Sequence, residues 1–500
     1  MTLRKNGVSI CILLLVLVAF SQLSFSAPAF GPEAEFQGEL TVYLQAYAPR
    51  ERRATDRWDP PQYAWKIAEE YQKIHPGVTI KLLDEASTGE NYDTWLRTRL
   101  IGRNAPGAFW VQNFDANQTY GPQGLLVDLR EYLSLPNPYA DEFATWGDVF
   151  TPQTWDPVKG PNGEHYVIVG DVVVTPWFYN KSVFAEAGLD PERVPGTFAE
   201  WIEVLDKIKE VGYVPIAWAG GGTAGEQYFE WLSRTVFHSI YRDRVEMMDV
   251  AEQPGFINLK ERVIALEKGI IDADSAEYRA GWELMRKLAE YFQPSHLSDD
   301  EEQAYEQWVT GKAAMFWGGS WQLKPVLNDS LREFDFGTFH FPLITKESLT
   351  YATADKTGIM GGPTAAFQYA VPSHLTGRER ELAVDFLMFM TAPQNAGPFI
   401  QDAGLFAPGI KGVEIGGETG TIIANMMPNP QQEFLELINR DPGAVLLTLD
   451  CRQQATRLFQ QYVGGRLTTD QLINQIETLH SRTVRQLINE NQWDLSEYMD

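Results

Sequence analysis

The sequence predicts an α/β protein that contains at least two domains. Segments with the residue pattern of strands alternate with segments with the pattern of helices, and this order is typical of sheets flanked by helices. The chain has 500 residues, which is more than a single hydrophobic core usually supports. Its composition is 44% hydrophobic and 12% aromatic, so it can bury a large core and keep aromatic rings for a binding site.

The first predicted elements form a βαβ unit. Residues 39–43 predict a strand, residues 63–74 carry apolar side chains at the spacing of a helix, and residues 78–83 predict the next strand. A strand, a helix and a strand in this order imply that the two strands pair in parallel. A helix over 91–101 and a short strand over 108–111 continue the pattern.

Several strands and helices are predicted in close succession between residues 166 and 200. β-branched and aromatic residues over 166–169 and 172–179 predict two strands, and an apolar helix is expected over 182–187. Thr197 and Glu200 have the spacing of a capping box, which predicts the start of another helix. The later helices are expected at 198–211, 226–241, 276–292, 301–309 and 379–390, the later strands at 215–218, 313–317, 336–342 and 366–372, and mostly helical structure after residue 428.

The N-terminus has the pattern of a secretory signal peptide, which we assign to residues 1–29. Basic residues precede an apolar run over 8–20, and this run is shorter than the roughly 20 residues that a membrane span needs. An uncleaved anchor is the alternative. We therefore expect a periplasmic or extracellular protein. Cys11 lies too early in the run for a lipid-modified cysteine, and Cys451 alone cannot form an internal disulfide.

Charge and motifs exclude several functions. The formal net charge of −26 argues against binding to nucleic acid or anionic lipid. Gly220, Gly222 and Gly225 match GxGxxG but lack the acidic partner of a dinucleotide site, so we expect a loop that lets a ligand approach the backbone. No histidine pair has metal-ligand spacing, and no nucleophile motif is present. The sequence thus predicts no cofactor, no metal and no catalytic residues.

Aromatic residues at the ends of predicted strands are the strongest ligand signal. A single ring at such a place belongs more often to a core than to a binding site, but several rings beside glycine turns and polar groups suit a sugar. Pyranose rings stack on aromatic faces, and their hydroxyls need polar partners. The candidates from this strand-end argument are Gln45, Tyr47, Trp110, Asn113, Asp115, Trp177, Trp218, Trp317 and Trp321.

The sequence resembles the family 1 extracellular solute-binding proteins of bacterial ABC importers, the maltose-binding-protein type. The resemblance rests on five segments in order: AEEYQKIHPGVTIKL, GLLVDL, the stretch from NGEHYVIVGD through YNKSVFAEAGL to PGTFAEWIEVLDKIKEVG, GKAAMFWGGSW, and AVPSHLTGRERELAVDFLMFMTAPQNA. It implies a type II periplasmic-binding-protein-like α/β fold with two discontinuous lobes, a hinge and a ligand cleft. The implied lobes are 30–170 with 345–393 and 171–344 with 394–500, and the implied crossings lie near 169–175 and 341–344.

The resemblance also implies site residues and a function. Trp321 matches the position of a stacking aromatic, Asp171 a position of polar contact, and Gly361 with Gly362 a glycine pair that faces the cleft. The implied protein is a monomeric receptor that delivers an oligosaccharide to the membrane subunits of an importer. An exported glycoside hydrolase, a receptor for a non-sugar solute and a sensor partner are the alternatives.

Overall fold

The computed structural model describes residues 30–84, 92–155, 158–160, 162–250, 257–362, 366–404, 406–435 and 447–499. The expected signal peptide and Asn91, at the predicted start of a helix, lie outside these ranges. In the part of the chain that is described, no helix combines the length and the apolar character that crossing a bilayer requires.

The strands are short. In chain order they are β1 (Gly38–Tyr43), β2 (Val78–Leu83), β3 (Ala108–Trp110), β4 (Ile168–Val169), β5 (Asp171–Val174), β6 (Trp177–Asn180), β7 (Val214–Ala217), β8 (Ala313–Trp317), β9 (Phe336–Phe339), β10 (Thr357–Ile359), β11 (Gly361–Gly362), β12 (Gln368–Ala370), β13 (Ala407–Pro408) and β14 (Gln432–Phe434).

The helices flank these strands. They are α1 (Tyr63–Ile74), α2 (Tyr92–Ile101), α3 (Asn113–Asp115), α4 (Arg130–Leu133), α5 (Pro152–Trp155), α6 (Lys181–Glu186), α7 (Phe198–Glu210), α8 (Gly222–Tyr241), α9 (Val245–Met248), α10 (Leu259–Glu267), α11 (Ala276–Ala289), α12 (Glu301–Val309), α13 (Leu323–Asn328), α14 (Gly377–Thr391), α15 (Pro393–Ala403), α16 (Gly417–Met426), α17 (Leu449–Val463) and α18 (Thr469–Asn491).

Two larger sheets organise the fold. The first has the order β2-β1-β3-β12-β4, and the second has the order β7-β8-β6-β9. In the first sheet β1 pairs in parallel with β2 and β3, as the βαβ pattern predicts, whereas β12 runs antiparallel to its neighbours. A third, three-stranded sheet has the order β11-β5-β13 and joins the two halves of the molecule.

Each larger sheet has its own hydrophobic core. The first core contains buried residues from 34–173 and 366–410, and the second contains buried residues from 172–360 and 407–479. We call the part of the chain around each core the first and the second lobe. The chain therefore passes between the lobes at β5, between residues 360 and 366, and near β13.

The strand β5 lies between the two cores because its side chains alternate. Val172 and Val174 belong to the second core, and Val173 belongs to the first. Successive side chains of a strand point to opposite faces, so one strand can contribute side chains to both cores. The crossing that the resemblance implies near 169–175 spans this strand and stays a prediction.

The segment of the implied return crossing, near 341–344, packs in the second core. Phe341 and Ile344 are buried in the second core, and Leu343 bridges to Thr197 at the start of α7. The chain reaches the first core only after residue 360, and helix α15 still packs against the first core. The lobe boundaries at 344 and 393 that the resemblance implies stay predictions.

Most local elements follow the sequence. Helix α1 and strand β2 have the predicted bounds. The capping box is present: Thr197 Oγ1 accepts from the Glu200 backbone N–H at 3.2 Å, and the Glu200 side chain accepts from the Thr197 N–H. The run predicted as one strand over 172–179 is two strands, β5 and β6, because Pro176 cannot donate a ladder hydrogen bond.

Candidate functional site

Asn113 and Asp115 follow β3 at the edge of the first lobe, as predicted. The backbone N–H of Asn113 donates to Gln368 Oε1 at 3.2 Å, and Asn113 Oδ1 accepts from Asn117 Nδ2 at 2.7 Å. Asn113 is thus fixed by its neighbours. The Asp115 carboxylate is half-buried and accepts no hydrogen bond within the described ranges.

The electrostatic surroundings of Asp115 are unusual for a carboxylate. Burial raises its pKa to about 6, and repulsion from Asp93 adds to this rise, whereas Arg452 lowers it. Arg452 belongs to α17, which packs in the second lobe. The Arg452 guanidinium of the second lobe thus opposes part of the rise in the pKa of Asp115.

Trp110 is half-buried beside the same strand end. Its ring centroid lies 5.6 Å from that of Tyr92, and Tyr92 stacks on Trp95 at 5.7 Å and on Tyr43 at 4.8 Å. The Tyr92 hydroxyl donates to the Trp110 carbonyl. Trp110 is therefore one edge of an aromatic group whose other members the sequence argument did not identify.

Gln45, Tyr47 and Asp171 occupy the junction of β1 with the crossing strand β5. Gln45 is half-buried and has a φ of +52°, a left-handed conformation. Tyr47 is 1% exposed, its ring stacks on Phe399 at 4.4 Å, and its hydroxyl donates to Asp171 Oδ2 at 2.8 Å. Asp171 is fully buried and also accepts from the Phe367 N–H at 3.1 Å.

This junction is a structural contact. Burial raises the pKa of Asp171 to about 7, although hydrogen bonds from Tyr47 and the backbone lower it. The sequence argument expected both side chains to meet a ligand, but in the structure each meets the other. Their bond ties the end of β1 to the crossing strand.

Three of the predicted tryptophans lie inside the second core. Trp177, Trp218 and Trp317 are at most 2% exposed. Trp177 stacks on Trp317 at 5.0 Å, Trp218 stacks on Phe292 at 4.5 Å, and Trp317 Nε1 donates to the Thr175 carbonyl at 2.8 Å. Trp317 ends β8 and Trp177 begins β6, and both strands consist entirely of buried residues, so both faces of each strand are covered.

Trp321 differs from these three because it packs against both cores and is only half-buried. Its Nε1 donates to Glu301 Oε1 at 2.9 Å, and the same oxygen accepts from Gln322 Nε2 at 2.9 Å. The Trp231 ring lies 5.9 Å away at an angle of 56°. Of the predicted aromatic residues of the second lobe, Trp321 alone lies between the lobes.

Gly361 and Gly362 form β11 against β5 and are buried. Gly361 has a φ of +137°, and a Cβ on it would lie 2.3 Å from the Val173 carbonyl oxygen. The pair was expected to face the cleft. In the structure, glycine at these positions lets β11 and β5 approach each other closely.

The glycine-rich loop before α8 also has a structural explanation. A Cβ on Gly220 would lie 2.2 Å from the His296 carbonyl oxygen, and one on Gly221 would lie 2.4 Å from that of Ser298. The Gly221 N–H donates to the Asp299 carbonyl at 2.9 Å. The loop needs glycine because a neighbouring segment approaches its backbone, where the sequence argument expected a ligand.

A loop of the first lobe reaches the second lobe away from the crossing strands. Arg57 lies 3.4 Å from Asp329 and over the rings of Trp58 and Tyr305, at 5.5 Å and 5.8 Å from their centroids. Trp58 packs against the second core. The sequence places this contact in a charged loop but does not show which lobe the loop contacts.

Arg452 was not among the predicted site residues. Its Nη1 donates to Glu230 Oε2 of α8 at 2.8 Å. An arginine on an amphipathic helix is ordinary in a sequence, and no local signal marks it. Its contact with Glu230 depends on the packing of α17 against α8.

Two surface cavities lie away from Trp321 and Asp115. One, of about 390 Å³, lies beside Trp155 and Lys411, and the other, of about 520 Å³, lies beside Trp95 and Arg99. Among the described residues, no group of three or more His, Cys, Asp or Glu side chains could hold a metal ion.

Comparison with known proteins gives a family and a fold. Residues 57–397 match the family model described as bacterial extracellular solute-binding protein. The chain is 25% identical over 287 residues to the multiple sugar-binding protein of Streptococcus mutans, covering 55% of this chain and 58% of that protein. It is 25% identical over 260 residues to a probable sugar-binding periplasmic protein of Rhizobium meliloti, covering 52% of this chain and 55% of the relative.

Solved structures share the fold over most of this chain. A chitin oligosaccharide binding protein superposes with a TM-score of 0.65 and 19% identity, over 90% of this chain and 99% of its own. At this identity the likeness establishes the fold, which is the two-lobed α/β fold of periplasmic binding proteins. The matches to the two sugar-binding relatives span only a little more than half of their length.

Proposed function

The chain belongs to the bacterial extracellular solute-binding proteins, and from this membership we propose that it is a carbohydrate-binding receptor of an ABC importer. It binds an oligosaccharide between its lobes and presents the closed form to the membrane subunits. It acts by binding and without turnover. The position of Trp321, half-buried against both cores, carries the proposal, because a ring between two lobes can stack on a sugar and be covered as they close.

The proposed site combines residues from both lobes. Trp321 and Glu301 face it from the second lobe, while Gln45, Trp110 and Asp115 face it from the first. Rings supply stacking surfaces, and carboxylates and amides accept or donate the hydrogen bonds that sugar hydroxyls require. Asn113 fixes the loop that carries Asp115. We assign the remaining predicted residues to the frame of the site: Tyr47, Asp171, Trp177, Trp218, Trp317, Gly361 and Gly362.

We divide the lobes by their cores. We propose that the first lobe comprises the described residues of 30–170 and 366–410, and the second those of 171–362 and 411–499. The membership of buried residues in the two cores supports this division. We also propose that the hinge lies in the three-stranded sheet, where the chain crosses between the cores.

We also propose that the protein is exported through its N-terminal segment 1–29 and that it is a monomer. The family description as extracellular supports export. Two homologues named for sugar binding support the ligand class.

A thermal-shift screen tests the proposal directly. The panel contains neutral di- and trisaccharides such as maltotriose, raffinose, chitotriose and xylotriose, with polyamines, amino acids and sugar phosphates as competitors. A ligand at a hundred times its Kd stabilises the folded state by about 2.7 kcal/mol, since it binds only that state. We expect at least one oligosaccharide to raise the unfolding temperature. A shift with a polyamine or an amino acid, and with no sugar, would overturn the assignment.

A further inference from the structure

The segment that carries Trp321 is short. Strand β8 ends four residues earlier, and Trp321 lies in the 3-10 turn Ser320–Gln322, directly before α13. A half-buried ring on such a turn can adopt several rotamers unless other parts of the molecule hold it. A side chain that is still mobile must be ordered when a ligand binds, and this ordering costs affinity.

Glu301 holds the nitrogen edge of the Trp321 ring. Trp321 Nε1 donates to Glu301 Oε1 at 2.9 Å, and Gln322 Nε2 donates to the same oxygen at 2.9 Å. Glu301 is the first residue of α12, whose start is fixed by a capping box between Asp300 and Gln303. The acceptor for the ring therefore lies on a capped helix, outside the turn that carries Trp321.

Gly319 lies against the six-membered part of the same ring. A Cβ on Gly319 would lie between 2.0 and 2.2 Å from three atoms of the Trp321 ring. The backbone of Gly319 has φ −101° and ψ 168°, an extended conformation that any residue can adopt. Glycine is therefore needed here because of the ring, and the backbone conformation alone does not require it.

We propose that Glu301 and Gly319 are positioning residues, which hold the Trp321 ring in place between the lobes before a ligand arrives. The inference rests on the proposed function, in which this ring stacks on a sugar, and adds the residues that fix the ring. The bond to Glu301 also uses the single N–H of the indole. The ring thus offers the ligand an apolar surface and no hydrogen-bond donor.

Two substitutions at position 301 separate the acceptor from the charge. Glu301→Ala removes the acceptor, whereas Glu301→Gln keeps a side-chain carbonyl oxygen that can accept both bonds. Glu302→Ala is the matched control, because Glu302 is the next residue of the same helix and is exposed. Rescue by the glutamine variant is expected if Glu301 acts only by holding the ring.

A second pair of variants tests the contact with Gly319. Gly319→Ala places a Cβ against the ring, while its backbone conformation remains allowed. Gly416→Ala is the matched control: Gly416 precedes α16 with φ −85° and ψ 174°, and a Cβ there meets open space. We expect Gly319→Ala to displace the ring and Gly416→Ala to leave it in place.

NMR of the indole N–H groups reports the position of the ring without any ligand. The protein is labelled with 15N-tryptophan, and the signal of Trp321 is identified by its loss in Trp321→Phe. In Glu301→Ala and Gly319→Ala this signal should move and its exchange with water should become faster, because the bond to Oε1 is lost or strained. In Glu301→Gln and in both controls it should stay close to its wild-type position.

Titration calorimetry measures the consequence for binding, with whichever of maltotriose, raffinose, chitotriose or xylotriose gives the largest thermal shift. We expect Glu301→Ala and Gly319→Ala to lose about 2- to 10-fold in affinity, the cost of immobilising one side chain. Glu301→Gln and both controls should bind within about twofold of the wild type. Urea unfolding identifies any variant that does not fold, and Gly319→Ala still tests the inference if Glu301→Ala fails.

The outcomes separate this inference from the proposed function. An indole signal and an affinity that do not change in Glu301→Ala and Gly319→Ala refute the positioning role, and the receptor function stands. Equal losses of affinity in Glu301→Gln and Glu301→Ala also refute it, because Glu301 then acts on the ligand through its charge. If no saccharide binds the wild type, the proposed function fails, and the indole spectra still decide whether the two residues fix the ring.

Discussion

Replacing Asp115 by asparagine should make the protein more stable and a weaker binder. Burial raises the pKa of this carboxyl from its ordinary value of 3.8 to about 6. A rise of this size corresponds to about 3 kcal/mol, and partial solvent exposure reduces the effective cost to about 2 kcal/mol. Asparagine has nearly the same shape and carries no charge, so the variant avoids this cost.

The sign of the pH dependence follows from the direction of the shift. The folded state binds the Asp115 proton more tightly than the unfolded state does. Above about pH 6 the carboxyl is charged in both states, and the folded wild type bears the full cost. As the pH falls through the unfolded-state value of 3.8 it becomes protonated in both, and the cost disappears. We therefore expect Asp115→Asn to gain about 2 kcal/mol at pH 7.5 and less than about 0.5 kcal/mol at pH 4.

Urea unfolding at these two pH values measures the difference. Asp141→Asn is the control, because Asp141 is exposed and its replacement changes the net charge by the same amount. Ligand titration completes the experiment: wild-type affinity should fall as the pH drops through about 6, since a protonated Asp115 accepts hydroxyl hydrogen bonds poorly. Equal stability of the two variants at pH 7.5, or a gain for Asp115→Asn that persists at pH 4, would refute the reasoning.

Two further substitutions test the hinge and the stacking ring. Gly361→Ala places a Cβ against a neighbouring backbone at a φ of +137°, whereas the Cβ of Gly212→Ala, at a φ of +90°, meets open space. We expect Gly361→Ala to lower the urea midpoint of unfolding clearly more than Gly212→Ala does. Equal losses would contradict the close strand contact. Trp321→Ala should weaken the best oligosaccharide by about 1–3 kcal/mol in titration calorimetry. Trp65→Ala removes an exposed ring of the first lobe and should leave affinity unchanged, so equal affinities for both variants would exclude stacking by Trp321.

Local structure was predictable because it depends on neighbours in sequence. The apolar spacing of α1, the β-branched run of β2 and the capping box at Thr197 each need only a few adjacent residues. The parallel pairing of β1 and β2 followed from the single helix between them. The resemblance of the five ordered segments then supplied the two-lobed fold.

The site was less predictable because it depends on the direction of side chains at strand ends. Trp317 and Trp321 are four residues apart, but the first is buried in a strand covered on both faces and the second lies past its end, between the cores. Spacing in sequence does not separate these cases. The contact of Arg452 with Glu230 had no signal at all, because it depends on how the distant helix α17 packs against α8.

The three-stranded sheet between the lobes also limits the movements that they can make. One covalent connection would leave the lobes free to swivel, but here β11, β5 and β13 lie side by side and are hydrogen-bonded. Sliding one strand along another, or twisting the group, breaks those bonds, whereas bending across all three keeps them. We therefore expect the lobes to move relative to each other mainly by a change in one angle. A single distance between two labels, one on each lobe, is then enough to follow the conformational state of the whole molecule.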